Sequence, residues 1–225
     1  MTNPSSDTLL RLLHVADTAF PTGAFTQSWG LEALSRSGAV TRKTLNAFIS
    51  AQLHNRWALQ DRVFVAQAHA AHDDLDALIG LDREMDALIW SETARRASRT
   101  TGSGLLSAHT SLSETGLYAY SDALRRDKAL GHLPIVEGLV HGAAGVDLRQ
   151  TLAVSALGLV QRLVSAAIRL NLIGAVSAQT LIRDLRPGIA ALASEIPPQH
   201  PSAFSPIADI GMMRHDRALG ALFAS

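Results

Sequence analysis

The sequence predicts an all-α protein, and three observations carry that expectation. Ala and Leu dominate, apolar residues recur at three- and four-residue spacing, and runs of alternating Val, Ile, Thr and aromatic residues are missing. At 225 residues the chain can bury a sizeable core. The pattern reads as a single all-α domain over residues 1–225. Within it, roughly eight to ten helices would surround a buried central helix at about residues 146–172.

The elements follow in order. Asp7 opens a short helix with Leu9, Leu10, Leu12, Leu13 and Val15 as its apolar residues. Pro21 forces Phe20 toward extended backbone, so that helix should stop before it. The stretch DTAFPTGAFTQSWGLE, residues 17–32, follows neither helical nor strand periodicity, yet it carries Phe20, Phe25 and Trp29. Aromatics offered by such a turn either plug their own core or dock onto a partner. Ser28 is the candidate N-cap of a second short helix, with Glu32 near its positive end and Gly38 closing it.

Thr41 is read as the cap of a long helix with Leu45, Phe48, Ile49, Leu53, Trp57, Val63 and Phe64 on one stripe. The next helix is expected over about residues 75–99, with Gly80 as its weak point and Leu78, Met85, Leu88, Ile89 and Trp90 as its apolar side. Arg95, Arg96 and Arg99 share that helix with Glu84 and Glu92, which reads as ion pairing on a solvated face. Residues 101–104 read as a flexible break before further helix. Residues 146–172 are apolar nearly all round, the mark of a bundle centre or a subunit contact. Pro187 and Gly188 are read as the end of the following helix. Residues 195–225 are read as a mobile loop and an amphipathic tail bearing Ile207, Ile210, Met213, Leu219, Leu222 and Phe223.

Composition excludes several function classes. Twenty basic residues balance twenty acidic ones, so no global nucleic-acid footprint is expected. The absence of cysteine rules out disulfides, thiolate metal sites and thiol catalysis, and suits a cytoplasmic protein. The start MTNPSSDTLLRLL has no basic stretch before its apolar residues, so no signal peptide is expected. Only twelve uncharged residues separate Arg149 from Arg162 and thirteen separate Arg169 from Arg183. A membrane span wants roughly 18 or more, so none is expected.

Candidate chemistry is sparse. His69 and His72 lie three apart on one helical face, with Asp73, Asp74 and Asp76 behind them. That cluster supports an alternative reading as an all-α metal-binding protein or magnesium-dependent enzyme. No second acidic motif answers it, and a solvated helix end accounts for the same residues. No G-x-S-x-G is present, and the GAAG at residues 142–145 lacks the following Lys of a phosphate loop. Neither an enzyme nor a bound cofactor is expected.

The irregular segment nonetheless resembles a known signature. Phe20, Pro21, Gly23, Phe25, Ser28, Gly30, Leu31 and Glu32 match F-P-x-G-x-F/Y-x-x-S-x-G-L-E, which opens urease accessory proteins of the UreF type. Four further blocks follow in the same order. Arg95 with Gly102 seven residues later, in ETARRAS…G…LL, is similar to the family's middle block. HLPIVEG at residues 132–138 looks like its H-x-P block, SAAIRL at 165–170 like its buried-helix segment, and Pro206 with MRHD and LFAS like its terminal pattern. The departures are Arg162 where Asn is common, Glu137 where an apolar or aromatic residue is, Ala221 where Arg precedes Leu-Phe, and Leu172–Ala175 in place of P-L-G-Q. Losing that Pro suggests a helix continuing past Leu172.

The resemblance implies an all-α, homodimeric, non-enzymatic factor in maturation of the nickel enzyme urease. Such proteins bind the accessory protein UreD (also called UreH), recruit the GTPase UreG, and dock on apo-urease to deliver nickel while gating the GTPase. Carried onto this chain, residues 1–32 become a partner-facing segment. The expected contacts are Phe20, Pro21, Gly23, Phe25, Ser28, Trp29, Gly30, Glu32, Arg95, Met213, Arg214, His215, Leu222 and Phe223. Phe25 is read as a docking anchor, Phe20 as core, and His215 as a hydrogen-bonding group rather than a nickel ligand.

Overall fold

Local signals start several helices directly. The Asp74 side chain accepts the Ala77 N–H, Ser91 the Ala94 N–H and Asp147 the Arg149 N–H, capping the three helices that follow them. The computed structural model describes residues 6–17, 19–23, 27–112, 114–215 and 222–223, and every regular element among them is helical. The order is α1 (Ser6–Val15), α2 (Leu31–Arg36), α3 (Leu45–Ala51), a π-helical segment (Gln52–Asp61), α4 (Arg62–Ala70), α5 (Leu75–Leu88), α6 (Glu92–Ser111), α7 (Tyr118–Arg125), α8 (Leu133–Ala143), α9 (Leu148–Arg169), α10 (Ala175–Ser194) and α11 (Pro206–His215). The all-α expectation holds.

The deepest element is α8, whose residues from Leu133 to Gly142 are all buried. It lies against α4 at backbone distance because two of its residues are glycine. A Cβ on Gly138 would stand 2.5 Å from the Val65 carbonyl oxygen, and one on Gly142 would stand 2.7 Å from that of His69. Helix α9 flanks α8 and α4 with Thr151, Leu152, Ser155, Ala156, Leu159, Val160, Leu163 and Val164 buried, and α10 packs along it. By length and composition α9 is the one helix among the described residues that could cross a membrane. Here it is a wall of the core.

The start of α8 is fixed by a buried carboxylate. Asp82 of α5, fully inaccessible, accepts the Tyr120 hydroxyl (2.6 Å) and the backbone N–H groups of Leu130 (2.6 Å), Gly131 (2.8 Å) and His132 (2.9 Å). Burial beside that carboxylate pushes the Tyr120 hydroxyl far above its ordinary pKa. One step on, the His132 ring lies 3.1 Å from Ser98 Oγ and 3.0 Å from Asp86, which pairs with Arg99. Burial lowers the His132 pKa against the pull of Asp82 and Asp86. Burial opposes ionisation of Asp86 too, but Arg99 and His132 outweigh it and hold its pKa below the usual value.

Several boundaries differ from the sequence reading, each for a packing reason. The break after α5 falls at residues 89–91, where Ser91 caps α6, and Gly80 stays helical with open space around it. Residues 101–104, expected as a flexible break, lie in mid-α6. Cβ atoms on Gly102 and Gly104 would fall on the Gly131 and Thr22 carbonyl oxygens, so these glycines admit close neighbours. Pro187 sits inside α10, which runs on to Ser194 with Ile189 and Ala193 buried. Helix α9 does not continue past Leu172: it ends at Arg169, and Asn171 takes a left-handed turn (φ 57°). Thr44 rather than Thr41 precedes α3, and its Oγ1 accepts the Thr41 N–H.

Two outcomes test this packing. Asp82→Ala leaves buried N–H groups unpaired, each costing ~1–3 kcal/mol, so urea unfolding should show a loss of about 4 kcal/mol. Gly138→Ala should destabilise by more than ~2 kcal/mol through its backbone clash, whereas Gly80→Ala at an open helical site should stabilise by ~1 kcal/mol. Thermal melts of the pair check this; equal effects would refute the close approach of α8 to α4.

Candidate partner-docking surface

The two segments singled out by sequence meet in space. Gly30 (φ 80°) precedes α2, and a Cβ there would stand 2.9 Å from the Ala208 carbonyl oxygen and from the Met212 nitrogen, so α11 rests directly on its backbone. Gly211 answers from the other side, close to the Gly30 carbonyl and Leu34. Glu32, almost fully buried, pairs with Arg36 (2.8 Å) and accepts the backbone N–H groups of Leu222 (2.8 Å) and Phe223 (3.2 Å). Phe223 is buried, with the Arg169 guanidinium 4.1 Å from its ring centre.

The signature residues divide accordingly. Phe20 is buried and meets the rings of His14 (5.2 Å) and His109 (5.1 Å). Pro21 and Gly23 are exposed, and Phe25 lies outside the described residues. Ser28 is buried but does not cap α2; its carbonyl accepts the Leu31 N–H, and Gly30 holds the cap position. Trp29, expected at a docking surface, is only 4% exposed, in a left-handed conformation (φ 54°), with Arg56 stacked 4.6 Å from its ring centre. Burial of Ser28, Trp29, Gly30 and Glu32 makes this part of the signature an internal contact of the free chain.

Arg56 comes from the π-helical segment, which sequence periodicity did not disclose. Its wider turn directs Arg56, Trp57, Gln60 and Asp61 inward together. Trp57 Nε1 donates to Ser155 Oγ (3.0 Å), and Ser155 donates to Glu137, which faces Arg162 at 3.7 Å. Burial raises the carboxyl pKa of both Asp61 and Glu137, while Arg56 and Arg162 oppose it. The departures at Glu137 and Arg162 thus form one ion pair.

A second surface lies where α5, α6 and α11 converge. Around a groove of about 340 Å³ stand Leu88, Trp90, Phe204, Ile210 and Met213, with Ile89 and Ala94 beneath. Trp90 is 83% and Phe204 77% exposed. The bend that presents Trp90 is held by Arg95, which donates to the Ile89 carbonyl and pairs with Glu92 (2.8 Å). Phe204 sits on a segment fastened to the π-helix, Ser202 N–H to the Leu59 carbonyl (2.8 Å) and Phe204 N–H to that of Asn55 (3.4 Å). Along α11, Ala208 and Met212 point inward while Ile207, Ile210 and Met213 are exposed, as are Arg214 and, beyond the helix, Leu222. His215 ends α11, and Leu219 lies outside the described residues. Trp90 and Phe204 were missed as surface groups because helical periodicity placed one inside and the prolines masked the other.

The acidic and histidine cluster has structural uses. His69 Nε2 donates to the Val146 carbonyl (2.7 Å), His72 Nδ1 to the His69 carbonyl (3.0 Å), and Asp74 caps α5. Among the described residues no group of three His, Cys, Asp or Glu could hold a metal ion.

Comparison with known proteins agrees with the signature. The UreF family model matches residues 39–186. The chain is 33% identical over 224 residues to a urease accessory protein UreF from Xanthobacter autotrophicus, covering 96% of this chain and 91% of that protein. It is 30% identical over 225 residues to one from Arthrobacter sp. (96% of each), and 28% identical over 239 residues to one from Trichodesmium erythraeum (100% of each). With blocks from Phe20 to Phe223 fitted into one all-α fold and the family model matching most of its length, the chain belongs to the UreF family.

Proposed function

We propose that this protein is a non-catalytic accessory factor in urease maturation. It binds UreD (UreH) through the face made by α11, Trp90 and Phe204, and the complex recruits the GTPase UreG and delivers nickel to apo-urease. Membership of the UreF family supports the accessory role, and the relatives are named for it. The observation that carries the docking reading is the groove of Leu88, Trp90, Phe204, Ile210 and Met213, where large apolar groups stand in water. Patches of this kind mark interaction sites, and aromatic residues supply a disproportionate share of binding energy. Met213, one of the carried-over terminal contacts, lines this groove. Gating of the GTPase and homodimer formation belong to the same reading.

Substitution separates docking from folding. Trp90→Ala and Phe204→Ala should each weaken capture of UreD by ~1–3 kcal/mol while melting like the parent chain, because both side chains are solvated. Trp29→Ala should do the reverse, losing ~3–5 kcal/mol of stability and binding only in proportion to its folded fraction. Unchanged capture by both groove variants would overturn the assignment. Deleting residues 212–225 is a blunter probe, since Met212 is fully buried. In sedimentation the isolated chain, of 24.0 kDa, should run as a dimer. A strict monomer at concentrations on the order of tens of micromolar would contradict the homodimer.

A further inference from the structure

The signature loop, the π-helical segment, α8 and α9 meet around a small cavity of about 10 Å³. Met85, Leu133, Pro134 and Leu159 give it apolar walls, and Trp29, Arg56, Asp61, Glu137, Ser155 and Arg162 bring polar groups to it. Three polar atoms of these residues are buried without a hydrogen-bond partner among the described residues: Trp29 Nε1, Arg162 Nε and Asp61 Oδ1. The neighbouring groups are already engaged. Trp57 Nε1 is bonded to Ser155, Ser155 to Glu137, Asp61 Oδ2 faces Arg56 at 3.7 Å, and Arg162 Nη1 faces Glu137 at 3.7 Å. What remains is two N–H donors and one carboxylate acceptor on residues that line one small space.

That set selects its occupant. A cation would face two N–H donors, an anion would face the Asp61 carboxylate, and an apolar group would leave all three atoms unpaired. A water molecule accepts from two donors and donates to one acceptor. A cavity of roughly 10–15 Å³ with two to four polar partners is the least that one water requires. We propose that a single long-lived water is bound here, accepting from Trp29 Nε1 and Arg162 Nε and donating to Asp61 Oδ1.

This water ties the loop to the core from one side while Arg56 covers the Trp29 ring from another. It gives a backbone in a left-handed conformation, unusual for tryptophan, two independent anchors. Trp29 is then a positioning residue for the Ser28–Gly30 turn on which α11 rests, whatever the partner may be. Gly158 belongs to the same design, since a Cβ there would press to 3.1 Å from Arg162 Nη1.

The test reads the indole N–H protons of the full-length, ¹⁵N-labelled protein, which has three tryptophans. Trp29→Phe identifies the Trp29 signal by its loss. In the parent chain that proton should exchange slowly with solvent yet show dipolar cross-relaxation to water of the sign given by a long-lived, immobilised molecule. Trp90, largely exposed, should exchange rapidly and supplies the contrast. Asp61→Asn keeps an acceptor oxygen and should retain the cross-peak, whereas Asp61→Leu should abolish it. A Trp29 proton that is protected but shows no water cross-peak, or one that exchanges like Trp90, would overturn the proposal using the unmodified protein alone.

Discussion

The fold depends most heavily on the Asp82 carboxylate. It takes three consecutive backbone N–H groups and the Tyr120 hydroxyl, and so fixes the direction in which the chain enters α8. An entry that shifted by an ångström would drive Gly131 away from Gly102 and push α8 off α4. Those helices approach through backbone rather than through side chains that could adapt. Close-packed interiors transmit such errors instead of absorbing them. The single carboxylate serves α5, α6, α7 and α8 together, because His132 carries the network on to Ser98, Asp86 and Arg99.

A second polar system lies beside the first, with Ser98 lining the same small cavity. Arg56, Asp61, Glu137 and Arg162 place two cations and two carboxylates within one bundle, lightly paired at 3.7 Å contacts. Burial of ion pairs is costly unless further hydrogen bonds complete them, and Ser155 with Trp57 does so at Glu137. The π-helical segment makes this arrangement available, since an ordinary α-helix would carry some of these side chains outward. Carbonyl groups of the same segment hold the proline-rich stretch through Ser202 and Phe204. One irregular helix therefore organises both the buried charges and the groove.

Much of the architecture was legible in the sequence because its signals are local. The helix start at Leu75, the apolar stripe through Leu45, Phe48, Ile49 and Leu53, and the Gly38 turn each follow from residues within a few positions. The errors arose where a residue's purpose is tertiary. Gly102 and Gly104 look like breakers until Gly131 and Thr22 are seen against them, and Pro187 looks like a stop until α9 is seen supporting α10. The candidate site was half legible. Its residues could be named, but whether Trp29 or Trp90 faces water depends on Arg56 and on the 89–91 bend, and neither has a sequence period.

That distinction changes what the signature means for function. Ser28, Trp29, Gly30 and Glu32 are satisfied within the free chain, so they can influence a partner chiefly by holding α11 and the end of the chain in place. Trp90, Phe204, Ile210 and Met213 are held by backbone contacts yet keep their apolar surface in water. Fully burying such a side chain is worth ~1.5–3 kcal/mol, so two or three of them offset a large part of the cost of association, which is ~4–15 kcal/mol. Preorganisation lowers that cost further, because the bend at residues 89–91 and the Phe204 segment are already fixed. The recognisable motif thus builds the platform, and the less recognisable aromatics stand on it.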